Sequence, residues 1–403
     1  MQTDTATPST ADTEVHDIRI SGSGCRRVLA RHPWVFRDQI KSGEAPAGAV
    51  VRVIGKDREQ IGVAAWSPAS RIALRFMAVG REVPLPTEED LRQRFLGAVA
   101  RRASLAAVSD AVRLVSSETD GLPGLIVDRY ADAVVVQAST PFADKLMKSH
   151  IEKWLDETVA PTTIVARNDV SVRKLEKLDL EVRHIRGDAK ETEITEGGVK
   201  FLVDLTGGQK TGLFLDQRAN RIAVGAAIPE GARVLDAFTY QGGFGLHAAK
   251  RAGEVFAVDD GRAAVERTIA NAARNGFDNV RAEKHHVFHL LRQLEKDGES
   301  FDVVILDPPA FAKSRRDVES ARRGYHEINR RALRLVAPGG RLVTSSCSHH
   351  MSEVDFESML RDAARDAKRD ARLTERRSQD LDHPVLLGLP ESRYLKCFVL
   401  DVL

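Results

Sequence analysis

Val234-Leu235-Asp236-Ala237-Phe238-Thr239-Tyr240-Gln241-Gly242-Gly243-Phe244-Gly245 is the stretch that decides the fold. An apolar run ends in an acid, and a glycine-containing turn then opens a helix. Glycine lets backbone approach a bound molecule closely. A pyrophosphate loop would leave the helix N-terminus to the anion, but Asp236 repels one and suits an ammonium or sulfonium such as that of S-adenosylmethionine. About twenty residues on, Val258-Asp259 ends the next apolar run, where a carboxylate can accept both ribose hydroxyls of a nucleoside. A nicotinamide-dependent enzyme and a plain strand–turn are the alternatives at this point.

Working outward, Val203, Arg233-Val234-Leu235, Val255-Phe256-Ala257-Val258, Asp302-Val303-Val304-Ile305-Leu306 and Arg341-Leu342-Val343-Thr344 are short apolar runs separated by amphipathic stretches. That alternation predicts an α/β fold with a doubly wound parallel sheet, helices on both faces. Ligands of such sheets sit beyond the strands' C-terminal ends. There the run 302–306 continues as Asp307-Pro308-Pro309-Ala310-Phe311, two prolines stiffening a loop that carries a carboxylate for a ring edge and an aromatic for its face. Pro338-Gly339-Gly340 turns the chain into the next strand, and Cys347 stands just past its end, among serines and beside His349 and His350. With neighbouring strands, Asp307 and Cys347 would line one pocket. A lone cysteine is ordinarily an inert core residue, and Cys25 and Cys397 are read so. Lys313, Arg315, Arg316, Arg322, Arg323, Arg330, Arg331 and Arg334 follow the Asp-Pro-Pro loop. They either grip phosphates around the pocket or form a solvated helix face with Asp317, Glu319 and Glu327.

Residues 17–82 read as a small β-rich module of short runs (Ile18-Arg19-Ile20, Val50 to Ile54, Ile61 to Ala65, Ile72 to Phe76) divided by turn residues. Between the first two lies Gly24 to Phe36, in which Arg26, Arg27, Arg31 and Trp34 interleave charge with aromatic surface as an RNA contact requires. Alternatively, Trp34 and Phe36 fill the module's core and the arginines are merely solvated. Thr87 with Asp90 forms a capping box that opens a helix, and residues 86–196 read as an α+β middle domain without visible chemistry. Residues 197–403 hold the doubly wound sheet. The polar, acidic start of the chain, residues 1–16, is expected to be a disordered tail and not a signal peptide. With 42% hydrophobic and 29% charged residues the 403-residue chain suits several globular domains, and its net charge of +2 excludes no partner. Three scattered cysteines without a CxxC pair or His/Cys cluster argue against a metal site and for a reduced, cytoplasmic setting. No apolar run approaches membrane-spanning length.

Taken together, the Asp236 motif, DPPAFAKS and SSCS resemble the class I methyltransferase (Rossmann-like) fold. RHPWVF resembles an N-terminal PUA-like β-barrel. With GGQKTGLFLDQRANR (207–221), RRGYHEINRRAL (322–333) and DHPVLLGLPESRYLK (382–396), the chain from 17 to 403 is similar to the PUA-containing 23S ribosomal RNA cytosine-C5 methyltransferases. The resemblance implies S-adenosylmethionine as cofactor and ribosomal RNA, free or in a large-subunit assembly intermediate, as partner; a homodimer is possible on this reading. It implies Cys347 as nucleophile and Asp307 holding the cytosine edge, with Lys210 a candidate for the base carbonyl or the thiolate's field. Asp236, Phe238, Tyr240, Gly242, Asp259, Asp307, Gln217 and Arg218 would serve the cofactor. Cys347 would need a lowered pKa, which a nearby cation could provide. His286 stands where the family usually has an acid. A methyltransferase acting elsewhere on a base, such as guanine N7 or an exocyclic amine, would need no cysteine. An RNA-binding assembly factor would need no turnover at all.

Overall fold

The apolar runs after residue 230 become strands because each is flanked by amphipathic helices that cover it on both faces. The computed structural model describes residues 15–208, 210–311 and 317–403; most of the expected N-terminal tail, together with Lys313, Arg315 and Arg316, lies outside them. Seven strands form one sheet in the order Val280–Lys284, Glu254–Asp259, Arg233–Ala237, Phe301–Leu306, Val336–Ser346, Lys396–Val402, Ala371–Arg377. The first five are parallel, and Lys396–Val402 runs antiparallel to both of its neighbours. One face packs Leu235, Phe256, Val304 and Leu342 against the helices Val287–Lys296, Val318–Leu335 and Glu353–Ala367. The other buries Val234, Val255, Ile305 and Val343 against Val224, Phe244 and Ala248. Two opposed apolar layers of this kind fix the strand register, since a one-residue slip would exchange them.

Val203 departs from the expected order. Its strand, Val199–Asp204, pairs with Glu191–Glu196 in a separate two-stranded hairpin. Gly197 and Gly198 form the turn at φ +53° and +79°, the two left-handed residues that a tight hairpin demands. The hairpin spans residues 196 and 197, where the middle and last domains were expected to divide. Its Ile194, Phe201 and Val203 pack with Tyr130 and Val165 on one side and Leu246 and Ala272 on the other.

Upstream, Ala111–Ser116, Leu125–Tyr130, Ala133–Ala138, Thr163–Arg167 and Val182–Arg186 form a five-stranded sheet. Thr87 caps the helix Glu88–Arg101 in the expected reciprocal box with Asp90. The N-terminal module is a six-stranded sheet around Ile18, Val28, Val35, Val51, Val53 and Leu74. The basic–aromatic stretch folds as a helix, Gly22–Leu29, and a short strand, Trp34–Phe36. Among the described residues no helix is long and apolar enough to cross a membrane.

Candidate active site

Three carboxylates meet where three adjacent strands end. Asp236 is the penultimate residue of Arg233–Ala237, Asp259 the last of Glu254–Asp259, and Asp307 follows Phe301–Leu306. The parallel register sets Ala237 beside Val258 on one flank and Leu306 on the other, so the acids form one row. The turn after Asp236 is sharp: Phe238, Tyr240 and Gly242 all have left-handed φ, +65°, +52° and +85°. A non-glycine residue there is strained and persists only where surrounding contacts hold it. Here Asp259 Oδ2 accepts the Tyr240 N–H at 3.0 Å, and the Tyr240 ring meets Phe214 edge-on. Gly245 cannot carry a side chain, because its Cβ would lie 2.8 Å from Asp236 Oδ2. Instead its N–H donates to that oxygen at 2.8 Å, with the Thr239 hydroxyl at 2.5 Å.

Asp236 Oδ1 is buried and accepts no hydrogen bond among the described residues. Burial pushes the Asp236 carboxyl up to about 7; the Thr239 and Gly245 bonds oppose this, and the Asp307 and Asp259 charges add to it. A buried acid with one oxygen satisfied and the other orphaned lacks a cation. The ammonium and sulfonium of S-adenosylmethionine are of the missing sign, so the row of acids fits that cofactor. Asp259 takes the Gly261 N–H on Oδ1 and keeps lone pairs for hydroxyl donors.

Asp307 and Cys347 come from adjacent strands, as the sequence predicts: Leu306 pairs with Thr344. Cys347 Sγ lies 4.0 Å from the Pro308 carbonyl. Gln217 Nε2 donates to Asp307 Oδ1 at 2.9 Å and lies 3.3 Å from Ser345 Oγ, which places Gln217 beside Asp307 and the strand that leads to Cys347. Burial raises the Asp307 carboxyl to about 6, with the nearby Asp216 charge adding and Gln217 opposing. The expected lowering of the Cys347 pKa is not found. Burial pushes the thiol up to about 11, and the Asp307 and Asp216 carboxylates outweigh the opposing pull of Lys210.

Asp216, Tyr394 and Lys396 went unrecognised as individual residues, although the quoted stretches 207–221 and 382–396 contain them. Lys210 Nζ donates to Asp216 Oδ2 at 2.8 Å while lying 4.4 Å from the centre of the Phe214 ring. The Tyr394 hydroxyl donates to the same oxygen at 2.6 Å. Burial disfavours the Asp216 charge, but Lys210, His383 and Tyr394 together hold the acid well below the usual carboxylate range. Arg218 is a correction. It is fully buried, donates to the Ala111 carbonyl, and pairs with Asp380 and Asp382 at 2.8 and 3.0 Å; a guanidinium so enclosed joins the domains and is closed to a cofactor. His286 is exposed at the start of its helix, its ring 4.6 Å from that of His289.

The basic residues divide. Arg322 pairs with Asp362, Arg330 with Glu327, Arg331 with Glu295 and Glu327, and Arg334 with Glu295. Of the partners expected on a solvated face these pairs include only Glu327, the others being Asp362 and Glu295 on neighbouring helices, whereas Arg323 is exposed without an ion pair among the described residues. In the N-terminal module Arg26 and Arg31 are exposed. Arg27 is instead held by the Trp34 carbonyl and lies 4.7 Å from the Phe36 ring centre. Trp34 Nε1 donates at 2.9 Å to Glu118, in the turn after the strand Ala111–Ser116, so its indole is a junction contact.

Comparison with known proteins agrees with this geometry. The S-adenosylmethionine-dependent methyltransferase family matches residues 144–386, and a PUA-like domain matches 18–78. The ribosomal RNA large subunit methyltransferase I of Shewanella denitrificans is 39% identical over 394 residues, covering 94% of this chain and 97% of that one. The protein of the same name from Aeromonas hydrophila is 39% identical over 387 residues, covering 93% and 96%. A solved methyltransferase, SMU.776, complexed with SAH, superposes with a TM-score of 0.81 at 20% identity, covering 96% of this chain and 100% of that one. A SAM-dependent methyltransferase structure from Streptococcus mutans gives 0.80 at 19%, with the same coverage. At those identities the two structures show the fold, a class I methyltransferase sheet.

Proposed function

The chain belongs to the S-adenosylmethionine-dependent methyltransferase family and carries a PUA-like domain, and on that premise we propose that it methylates large-subunit ribosomal RNA, forming 5-methylcytidine in 23S RNA through a covalent bond from Cys347 to cytosine C6. The relatives' names, ribosomal RNA large subunit methyltransferase I, support the RNA substrate. The observation that carries the base and the mechanism is the pairing of Asp307 with Cys347 on adjacent strand ends, beside the cofactor's row of acids.

S-adenosylmethionine supplies an electrophilic methyl group when bound. Cytosine C5 is a weak nucleophile until C6 has been attacked, and a thiol adding there divides one hard step into easier ones. As Sγ bonds to C6, the ring's electrons move toward N3, which takes a proton; C5 is then enamine-like. The thiol proton and the N3 proton balance if Asp307, its carboxyl raised to about 6, accepts the first and donates the second. A thiol that is protonated in the free protein has to give up its proton as it attacks. Loss of the C5 proton to solvent water after methylation re-forms the C5–C6 double bond and expels Cys347 as thiolate, to which the N3 proton returns through Asp307. Lys210, fixed on Asp216, offsets negative charge on the thiolate. The target nucleotide reaches such a pocket unpaired or flipped. Gln217 orients Asp307, and Arg26, Arg31 and Arg323, being exposed, are the proposed contacts to backbone phosphates.

Incubating the protein and Cys347→Ala with cofactor and ribosomal RNA containing 5-fluorocytidine tests this. A covalent adduct is expected only when Cys347 is present. The high thiol pKa favours a second reading, methyl transfer at another base position with Cys347 inert, and normal methylation by Cys347→Ala would establish it.

A further inference from the structure

The loop that follows the nucleophile is held from beneath by a buried ammonium. Lys396 is 6% exposed, and Nζ donates to the carbonyls of Ser348, Met351 and Tyr394, each at 2.8 Å. A lysine ammonium has three hydrogens, so all are used. Ser348 and Met351 are themselves closed into a turn by the Met351 N–H on the Ser348 carbonyl at 3.1 Å. On the other side of the loop the Tyr325 hydroxyl and Ser348 Oγ lie 2.8 Å apart. The strand register puts Lys396 directly opposite Ser346, one residue before Cys347. The remaining charged or titratable groups that act on the thiol are Asp307, Asp216, Lys210, Tyr325 and Tyr394. His349 on the loop and Glu353 at the next helix face Lys396.

We infer that Lys396 is a positioning residue for Cys347: its ammonium clamps the loop after the nucleophile and brings a positive charge to the strand position next to it. The inference rests on Cys347 being the attacking group. With every hydrogen committed to carbonyls, Lys396 neither donates a proton to the base nor accepts one from C5; it acts only through Cys347. Burial lowers its own pKa to about 8, with the Cys347 and Glu353 charges pulling the other way, so the clamp weakens as pH rises through that value.

Lys396→Gln keeps two donors and loses the charge, and Lys396→Met loses both. The measurement is the rate of Cys347 alkylation by iodoacetamide as a function of pH, followed on the Cys347 peptide in the full-length protein, with SAH binding as the check of folding. Alkylation requires no RNA, so its outcome is independent of whether Cys347 adds to cytosine. The expected result is a pH profile displaced to higher pH in both variants, with kcat for RNA methylation down about ten- to a hundredfold and KM little changed. A wild-type alkylation profile in Lys396→Gln with intact SAH binding overturns the inference, whether or not kcat falls. If neither variant binds SAH, the wild-type protein decides. A thiol coupled to Lys396 gives a log rate whose slope against pH drops below one as the lysine titrates near its value of about 8. An unbroken slope of one through that range overturns the clamp.

Discussion

Two sets of buried acids in this chain behave in opposite ways. At the turn of the hairpin Glu196 is fully buried, accepts from Nε and Nη2 of Arg221 at 2.7 and 2.6 Å, and lies 3.1 Å from His247 Nε2. Burial alone would raise its pKa, but the guanidinium and the imidazole hold the carboxyl far below its ordinary range. At the strand ends Asp236 is buried and Asp307 half-buried, and among the described residues neither has such a counter-ion in contact, so desolvation drives them up to about 7 and 6. The first set spends its charge on joining elements. The second keeps a deficit of positive charge, which a cationic cofactor or a protonated base can fill. A buried carboxylate thus marks a ligand site only where the fold withholds its partner.

Removing an acid from the unpaired set should therefore harm catalysis, and removing one from the paired set should harm the fold. Asp307→Asn is expected to reduce kcat by about a hundred- to ten-thousandfold, measured by methyl transfer to RNA. Its stability should rise at pH 8. A carboxyl whose folded pKa lies above its unfolded value costs stability as pH climbs from about 4 to 6, and the amide removes that cost. A variant that loses stability without losing turnover would erase the distinction. Glu196→Gln leaves Arg221 buried beside a neutral amide and is expected to cost about 3–5 kcal/mol, measured by urea unfolding. Glu196 has the opposite pH sign to Asp307: its depressed pKa contributes stability above the unfolded value of 4.5, lost as pH falls. Acid denaturation should accordingly be less steep in the variant.

The unpaired set was legible in the sequence and the paired set was not. Asp236, Asp259 and Asp307 each end an apolar run, and a strand's end is a local signal. That Asp307 and Cys347 stand at the ends of adjacent strands followed from the parallel order alone. Asp216 receives Tyr394 from 178 positions away, and Arg102 reaches the Asp382 carbonyl across 280; charge alone names no partner at such distances. Arg218, two residues beyond Asp216, is read toward the cofactor with the resemblance, while its partners Asp380 and Asp382 lie far along the chain. The misplaced Val203 strand is different, because its signal was present. Gly197-Gly198 between two alternating runs is a hairpin turn, but the run was counted into the parallel series. The thiol's raised pKa could not be read at all, since it depends on burial and on two acids from other elements.

Asp236 sharpens the comparison at smaller amplitude. If Asp236 contacts the cationic cofactor, binding is strongest to the ionised carboxylate. A free-protein pKa of about 7 then makes S-adenosylmethionine affinity rise about tenfold between pH 6 and pH 8. Calorimetric titration across that range should show the rise, with proton release on binding. Asp236→Asn should bind more weakly and show less of this pH dependence, so a slope that survives intact in the variant would assign the titration elsewhere.

The N-terminal module supplies the smallest effect, and it tests whether an aromatic among arginines belongs to the ligand or to the fold. Trp34 Nε1 donates to Glu118, an acid that Arg75 also holds at 3.2 Å, and Arg75 in turn reaches Glu176 at 2.9 Å. This is another paired set, and Trp34 belongs to it. Trp34→Phe keeps most of the aromatic volume and removes one hydrogen bond to a carboxylate that retains its arginine. The expected cost is about 1–2 kcal/mol of stability, with RNA affinity unchanged. Arg26→Ala and Arg31→Ala, on exposed positions of the same module, should leave stability alone and flatten the salt dependence of RNA binding. If Trp34→Phe instead weakened RNA binding at constant stability, the indole would be a base contact and the junction with Glu118 incidental.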